Sequence, residues 1–153
     1  MSLLRHTLAT LAYRAGKAVG GMTPEACEYR SGGDGPTPRQ ILAHMGDLLD
    51  WALSMAQGKP AWHNSQPLEW DAEVARFFAA LEKFDGYLAS GETVHASEER
   101  LFQGPVADAL THTGQIAMLR RMGGAKMKGE NYYVAQIVEG RVGREQAAPV
   151  KEF

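Results

Sequence analysis

The chain has 153 residues, of which 44% are hydrophobic and 22% are charged, a balance typical of a globular domain with its own core. Its 16 Lys and Arg against 18 Asp and Glu give a formal charge of −2, which argues against nucleic acid or an acidic membrane surface as the main partner. The single cysteine, Cys27, permits no internal disulfide, and this favours a cytoplasmic location.

The N-terminal stretch MSLLRHTLATLAYRAGK is amphipathic and contains no signal cleavage site, so we expect a helix of the fold and not a targeting segment. That first helix is predicted over about residues 2–19, with Ser2 as its cap and Gly20 and Gly21 at its end. Its buried stripe comprises Leu4, Leu8, Leu11, Ala15 and Ala18. No stretch approaches the roughly 20 apolar residues that a membrane span requires.

A loop rich in Gly and Pro follows over residues 29–38. Thr37 then caps a second helix, with Pro38 at its favoured first position and Gly58 at its end. The spacing of apolar residues places His44 on or beside the buried face of this helix. The predicted stripe is Ile41, His44 or Met45, Leu48, Trp51 or Ala52, and Met55.

A second loop, residues 59–67, leads to a third helix over about residues 68–89. A short helical turn is expected from Ala96. The third helix has a strong apolar seam, which consists of Val74, Phe77, Leu81, Phe84 and Leu88.

A fourth helix is predicted over residues 104–124, with Pro105 near its first turn and paired glycines at its end. The segment after it predicts a short helix or an extended strap, and the final dozen residues are expected on the surface. Because no segment has a convincing strand pattern, the sequence predicts an all-α bundle. We assign the bundle to residues 1–140 and a C-terminal tail, packed on the bundle or extending from it, to residues 141–153.

The fourth helix contains an acid and an imidazole four residues apart, Asp108 and His112. This spacing puts both on one face, where they can offer an oxygen and a nitrogen to one point in the core. If the second and fourth helices face each other, His44 joins them. Two imidazoles and one carboxylate suit a divalent metal with open positions for water or substrate. In the alternative interpretation the histidines are hydrogen-bonded core residues, and Asp108 caps the helix or forms a salt bridge near its start.

Two motifs together, ILAHMGDLLDW and HTGQIAMLRRMGG, resemble the DinB/YfiT-like superfamily of metal-dependent enzymes, over essentially the whole chain. The resemblance implies a four-helix bundle with up-down-down-up topology, commonly a homodimer. The metal site of that family takes one His from the second helix and a His-x-x-x-His pair from the fourth. Carried across, the implied ligands are His44, Asp108 and His112, and Asp108 departs from the usual three histidines.

The resemblance implies a divalent transition metal, zinc or nickel first, with manganese or iron as alternatives. It also implies a metal-dependent hydrolase, or an S-transferase that uses a low-molecular-weight thiol, acting on a small-molecule substrate. The other hypothesis is a non-catalytic dimeric bundle that binds a metal or a small ligand. The sequence assigns no catalytic residue.

Several other polar residues have two interpretations. Gln115 is predicted to be a packing amide or to orient metal-bound water, and His63 is a weaker candidate for acid–base work. Asp47 is a candidate acceptor for an imidazole N–H, or a salt-bridge partner of Arg120 or Arg121.

Overall fold

A computed structural model describes residues 2–153. Within that range all repeating backbone structure is helical, and an isolated β-bridge pairs Glu130 with Glu152. The prediction of the all-α class is confirmed. The helices are α1 (Leu3–Val19), α2 (Pro24–Cys27), α3 (Pro38–Ala56), α4 (Trp70–Ala89), α5 (Glu98–Leu101) and α6 (Ala107–Met122), with a 3-10 turn at Tyr132–Val134.

The predicted helix caps are present. The Ser2 side chain accepts a hydrogen bond from the backbone N–H of Arg5, and Thr37 forms a reciprocal capping box with Gln40. The predicted ends differ by about two residues because local hydrogen bonds intervene. The Leu68 N–H, expected to be helical, donates to the Glu73 carboxylate at 2.8 Å, so α4 starts later.

The fourth predicted helix does not start at Gly104 and Pro105; this part of the prediction is wrong. Instead α5 continues through a π-helical segment, Phe102–Val106, directly into α6. Proline has no N–H and its ring clashes with the carbonyl of the preceding turn, and the wider π turn accommodates both defects at Pro105. The π segment ends two residues before Asp108 and therefore sets the face on which that residue lies.

The core lies between the long helices. The helix α3 packs against α4 and α6, and α1 packs against α6 and α4. Most of the largest fully buried side chains are apolar, and they come from several helices, among them Leu8, Leu42, Phe77, Phe84 and Ile116. This packing brings the His44 helix alongside the His112 helix. Over residues 2–153, no helix has the length and apolar character needed to cross a membrane.

The C-terminal segment returns to α1. The Asn131 N–H donates to the Lys151 carbonyl at 2.9 Å, and the Lys17 ammonium forms ion pairs with Glu130 and Glu152 at 2.7 and 3.0 Å. Most of the last dozen residues are exposed, as expected, but Val142 is buried in the core.

Candidate metal centre

The structure brings together the three residues that the sequence analysis singled out. Nε2 of His44 and Nε2 of His112 lie 3.6 and 3.4 Å from the same carboxylate oxygen, Oδ2 of Asp108. One ligand-type atom from each residue lies within 4.8 Å of the other two, and the imidazole ring centroids are 4.8 Å apart. One side chain from α3 and two from α6 therefore point at one small volume.

Gln115 fixes the orientation of one of the imidazoles. Its amide oxygen lies 2.7 Å from Nδ1 of His112. An amide oxygen only accepts hydrogen bonds, so Nδ1 carries the proton, and in a neutral imidazole Nε2 then carries the lone pair. That lone pair faces the Asp108 oxygen, so a positive charge between the two atoms is favourable.

The spacing of these atoms fits a bound ion better than a direct hydrogen bond. A charge-assisted hydrogen bond between an imidazolium and a carboxylate spans about 2.7–2.9 Å, which is shorter than either separation here. Two ligand atoms that each lie about 2.1 Å from one tetrahedral ion are about 3.4 Å apart. Two imidazole nitrogens and one carboxylate oxygen are also a donor set found in catalytic zinc sites. The residues present therefore fit a divalent metal.

The group lies at the edge of the helix interface and not inside the core, where the sequence pattern placed it. The side chains of His44, Asp108 and His112 are 38%, 47% and 19% exposed. A half-exposed carboxylate keeps most of its hydration, so burial alone does not require it to be neutralised. The partial exposure also leaves one side of the group open to small molecules.

The loop between α3 and α4 covers another side of His44. The Trp62 ring packs edge-on against His44 and against Trp51, with both pairs of centroids 5.7 Å apart. The sequence did not predict these contacts of Trp62, because a contact between a loop residue and a helix face leaves no periodic signal. The loop is fixed at Ala61, whose N–H donates to the Ser54 hydroxyl at 3.0 Å.

Asp47, on α3, binds the same loop through hydrogen bonds. Its buried carboxylate accepts hydrogen bonds from the Ser65 N–H and hydroxyl, at 2.9 and 2.7 Å, and from the Arg76 guanidinium. Nε2 of His63 lies 3.4 Å from Asp47 and 3.5 Å from Asp50. Asp47 therefore pairs with Arg76 and not with Arg120 or Arg121. His63 belongs to this second cluster, whose cation is the guanidinium.

Arg120 and Cys27 have structural roles. The buried Arg120 guanidinium donates to backbone carbonyls, among them those of Ala18 at 2.8 Å and Ala125 at 2.6 Å. Cys27 is buried, its Sγ lies 3.1 Å from the Pro24 carbonyl, and burial raises the pKa of its thiol. A thiol with a raised pKa is a poor nucleophile near neutral pH.

Comparison with known protein families, with curated proteins and with solved structures finds no match to this chain. The interpretation of the site therefore depends on its own geometry.

The Gln115 contact predicts the tautomer of His112. In the neutral imidazole of the metal-free protein, we expect the Nδ1–H form to predominate, and Gln115→Leu to shift the ring toward the Nε2–H form. Long-range ¹H–¹⁵N correlation spectra of the imidazoles measure this directly. Gln136→Leu changes another exposed glutamine and should leave the spectrum of His112 unchanged. An unchanged tautomer in Gln115→Leu would contradict the assigned hydrogen bond.

The Asp47 network predicts a loss of stability in acid. Burial alone would raise the pKa of Asp47, but the hydrogen bonds from Ser65 and Arg76 outweigh it and lower the pKa. Because its pKa is lower in the folded state, Asp47 stabilises the fold at pH values above its pKa in the unfolded chain. This contribution is lost as the pH falls below about 4. Asp47→Asn should lower the free energy of unfolding at pH 7 by about 2–3 kcal/mol and weaken that pH dependence.

Urea unfolding between pH 3 and pH 7 tests this prediction, with Asp71→Asn as the control because Asp71 is exposed. Equal losses in the two variants would mean that the Asp47 network does not stabilise the fold.

Proposed function

We propose that this chain is a divalent-metal-dependent enzyme of the DinB/YfiT-like type, and that His44, Asp108 and His112 are its metal ligands. The reaction is attack on a small substrate by a water or thiol nucleophile, that is, hydrolysis or thiol S-transfer. The proposal includes the finer description of the fold, a four-helix bundle with up-down-down-up topology, and assembly as a homodimer.

A single observation carries the proposal. Two imidazole Nε2 atoms approach the same oxygen of Asp108 at 3.6 and 3.4 Å, and the Gln115 amide directs the lone pair of one of them at that oxygen. A core network of hydrogen bonds would close to shorter distances and would place a proton between the atoms. This arrangement instead suits a cation that accepts all three lone pairs.

Each residue of this chain contributes a separate part. His44 and His112 supply neutral nitrogen donors, and Asp108 supplies the one negative charge that offsets a cation. Gln115 keeps His112 in the ligating tautomer, and Trp62 packs against His44, whose side chain stays 38% exposed. A divalent ion held by these residues would lower the pKa of a bound water or thiol and so supply a nucleophile near neutral pH.

The carboxylate of Asp108, at the middle position of the three ligands, where the family usually has histidine, affects the choice of metal. Carboxylate is a harder ligand than imidazole and is accepted by zinc, nickel, manganese and iron alike. Two nitrogens and one oxygen still favour zinc or nickel among the divalent ions. A carboxylate would also donate more electron density to a bound ion than a neutral imidazole does. A water or thiol bound to that ion would therefore be less acidic than with three histidines.

Metal content tests the ligand assignment. Wild-type protein purified without a histidine tag should hold about one equivalent of a transition metal, and His112→Ala and Asp108→Asn should hold none. His6→Ala and Asp71→Asn are the matched controls and should keep the metal. A chelator should lower the melting temperature of the wild type but not that of His112→Ala, since a ligand that binds only the folded state stabilises it. Full metal content in both ligand variants would contradict the assignment.

Activity tests separate the two reactions. The metal-loaded protein is incubated with a panel of small esters and amides, and separately with small electrophiles and glutathione, bacillithiol or mycothiol. Turnover that Asp108→Asn abolishes and Asp71→Asn retains would support an enzyme and identify its class. A metal-loaded protein that is inactive in both panels would favour the non-catalytic metal-binding bundle.

A further inference from the structure

A cleft of about 310 Å³ lies at the C-terminal half of α6, beside the first turn of α3. Ile41 contributes from α3, and the loop before α3 closes one end with Ser31 and Pro36. The remaining lining residues lie on α6 and are Gln115, Met118, Leu119 and Met122. Its volume is at the lower end of the range for small-molecule sites.

The cleft is next to the candidate metal centre, and Gln115 belongs to both. Gln115 lines the cleft, and its amide oxygen is bonded to Nδ1 of His112. Ile41 precedes His44 by three residues, so both lie on one face of α3. On α6, His112, Gln115, Leu119 and Met122 follow one another at the spacing of one helix face. With a rise of about 1.5 Å per residue, the cleft begins roughly 5 Å beyond His112 along the helix axis.

The lining has no charged side chain, and its only polar side chains are those of Ser31 and Gln115. Met118 and Met122, which line the cleft, are 58% and 48% exposed. Methionine side chains adapt to irregular apolar partners. The cleft therefore suits an uncharged, apolar group of a small molecule better than a carboxylate or a phosphate.

We propose that this cleft is the subsite for an apolar alkyl or aryl group of the substrate, whose reacting atom lies at His44, Asp108 and His112. The inference rests on the proposed function, since the metal centre supplies the reacting end. It restricts the substrate class to small electrophiles or esters that carry a neutral hydrocarbon arm of a few carbons.

A ladder of straight-chain hydroxamates, from acetohydroxamate to octanohydroxamate, tests the proposal on the zinc-loaded full chain. The hydroxamate head chelates the metal in every member, and only the alkyl chain changes. Once the chain enters the cleft, affinity should rise about three- to fourfold for each added methylene. Calorimetric titration gives the dissociation constants.

The double variant Met118→Gln/Met122→Gln should flatten this dependence and leave acetohydroxamate binding unchanged. Val138→Gln/Val150→Gln is the matched control, because these valines are 50% and 56% exposed and do not line the cleft. Chain-length dependence should persist in the control. Glutamine is close to methionine in size and favours helices as well, so the variant is expected to fold.

The outcomes separate the inference from the proposed function. If acetohydroxamate binds but affinity does not depend on chain length, or depends on it equally in the double variant, the subsite is wrong and the metal centre stands. If no hydroxamate binds at any length, the metal centre fails and the inference falls with it. If the double variant changes only the sedimentation coefficient, the methionines form an interface between copies of the chain, and the subsite is again wrong.

Discussion

The packing of α3 against α6 is the constraint on which the candidate site depends. On each helix, buried residues recur at i, i+4 and i+7 and fix the rotation of that helix about its axis. Once the rotation is fixed, His44 falls at the edge of the α3 stripe, and Asp108 and His112 fall at the facing edge of α6. The buried residues are Ile41, Met45 and Leu48 on α3, and Ala109, Thr113 and Ile116 on α6. The polar group lies at the edge because the apolar residues occupy the centre of the interface.

Two features outside this interface refine the position of the site. The π segment before α6 adds backbone to one turn and so determines the direction of the side chains that follow, among them Asp108. The loop after α3 brings Trp62 against His44 and is held by Asp47, three residues after His44 on the same helix. Helix α3 thus presents one residue to the proposed metal and another to the loop that covers it. A substitution at Asp47 should therefore change the environment of the His44 imidazole through Trp62.

Much of the fold could be predicted because helix periodicity and caps are local signals. The apolar stripes, Thr37 with Pro38, and the Asp108–His112 spacing all act within one or two turns. The π segment could not be predicted, since Pro105 after Gly104 is also typical of a helix start. The sequence pattern placed the site in the core, but the structure places it at the edge of the helix interface. Periodicity identifies which face of a helix is buried, but it does not separate the centre of that face from its edge. The contact between His112 and Gln115 could have been predicted from the sequence, because side chains three residues apart on a helix are neighbours.

The measurement that tests the central claim most directly is X-ray absorption at the zinc edge of the zinc-loaded protein. The account predicts a first shell with two imidazole nitrogens and a carboxylate oxygen from the protein, at about 2.0–2.2 Å. His44→Ala, like the other two ligand variants, should retain no zinc after the same loading and therefore give no zinc-edge spectrum. A shell without imidazole scattering, or one that His44→Ala leaves unchanged, would show that zinc binds elsewhere. That result would contradict the assignment of His44, Asp108 and His112 as metal ligands.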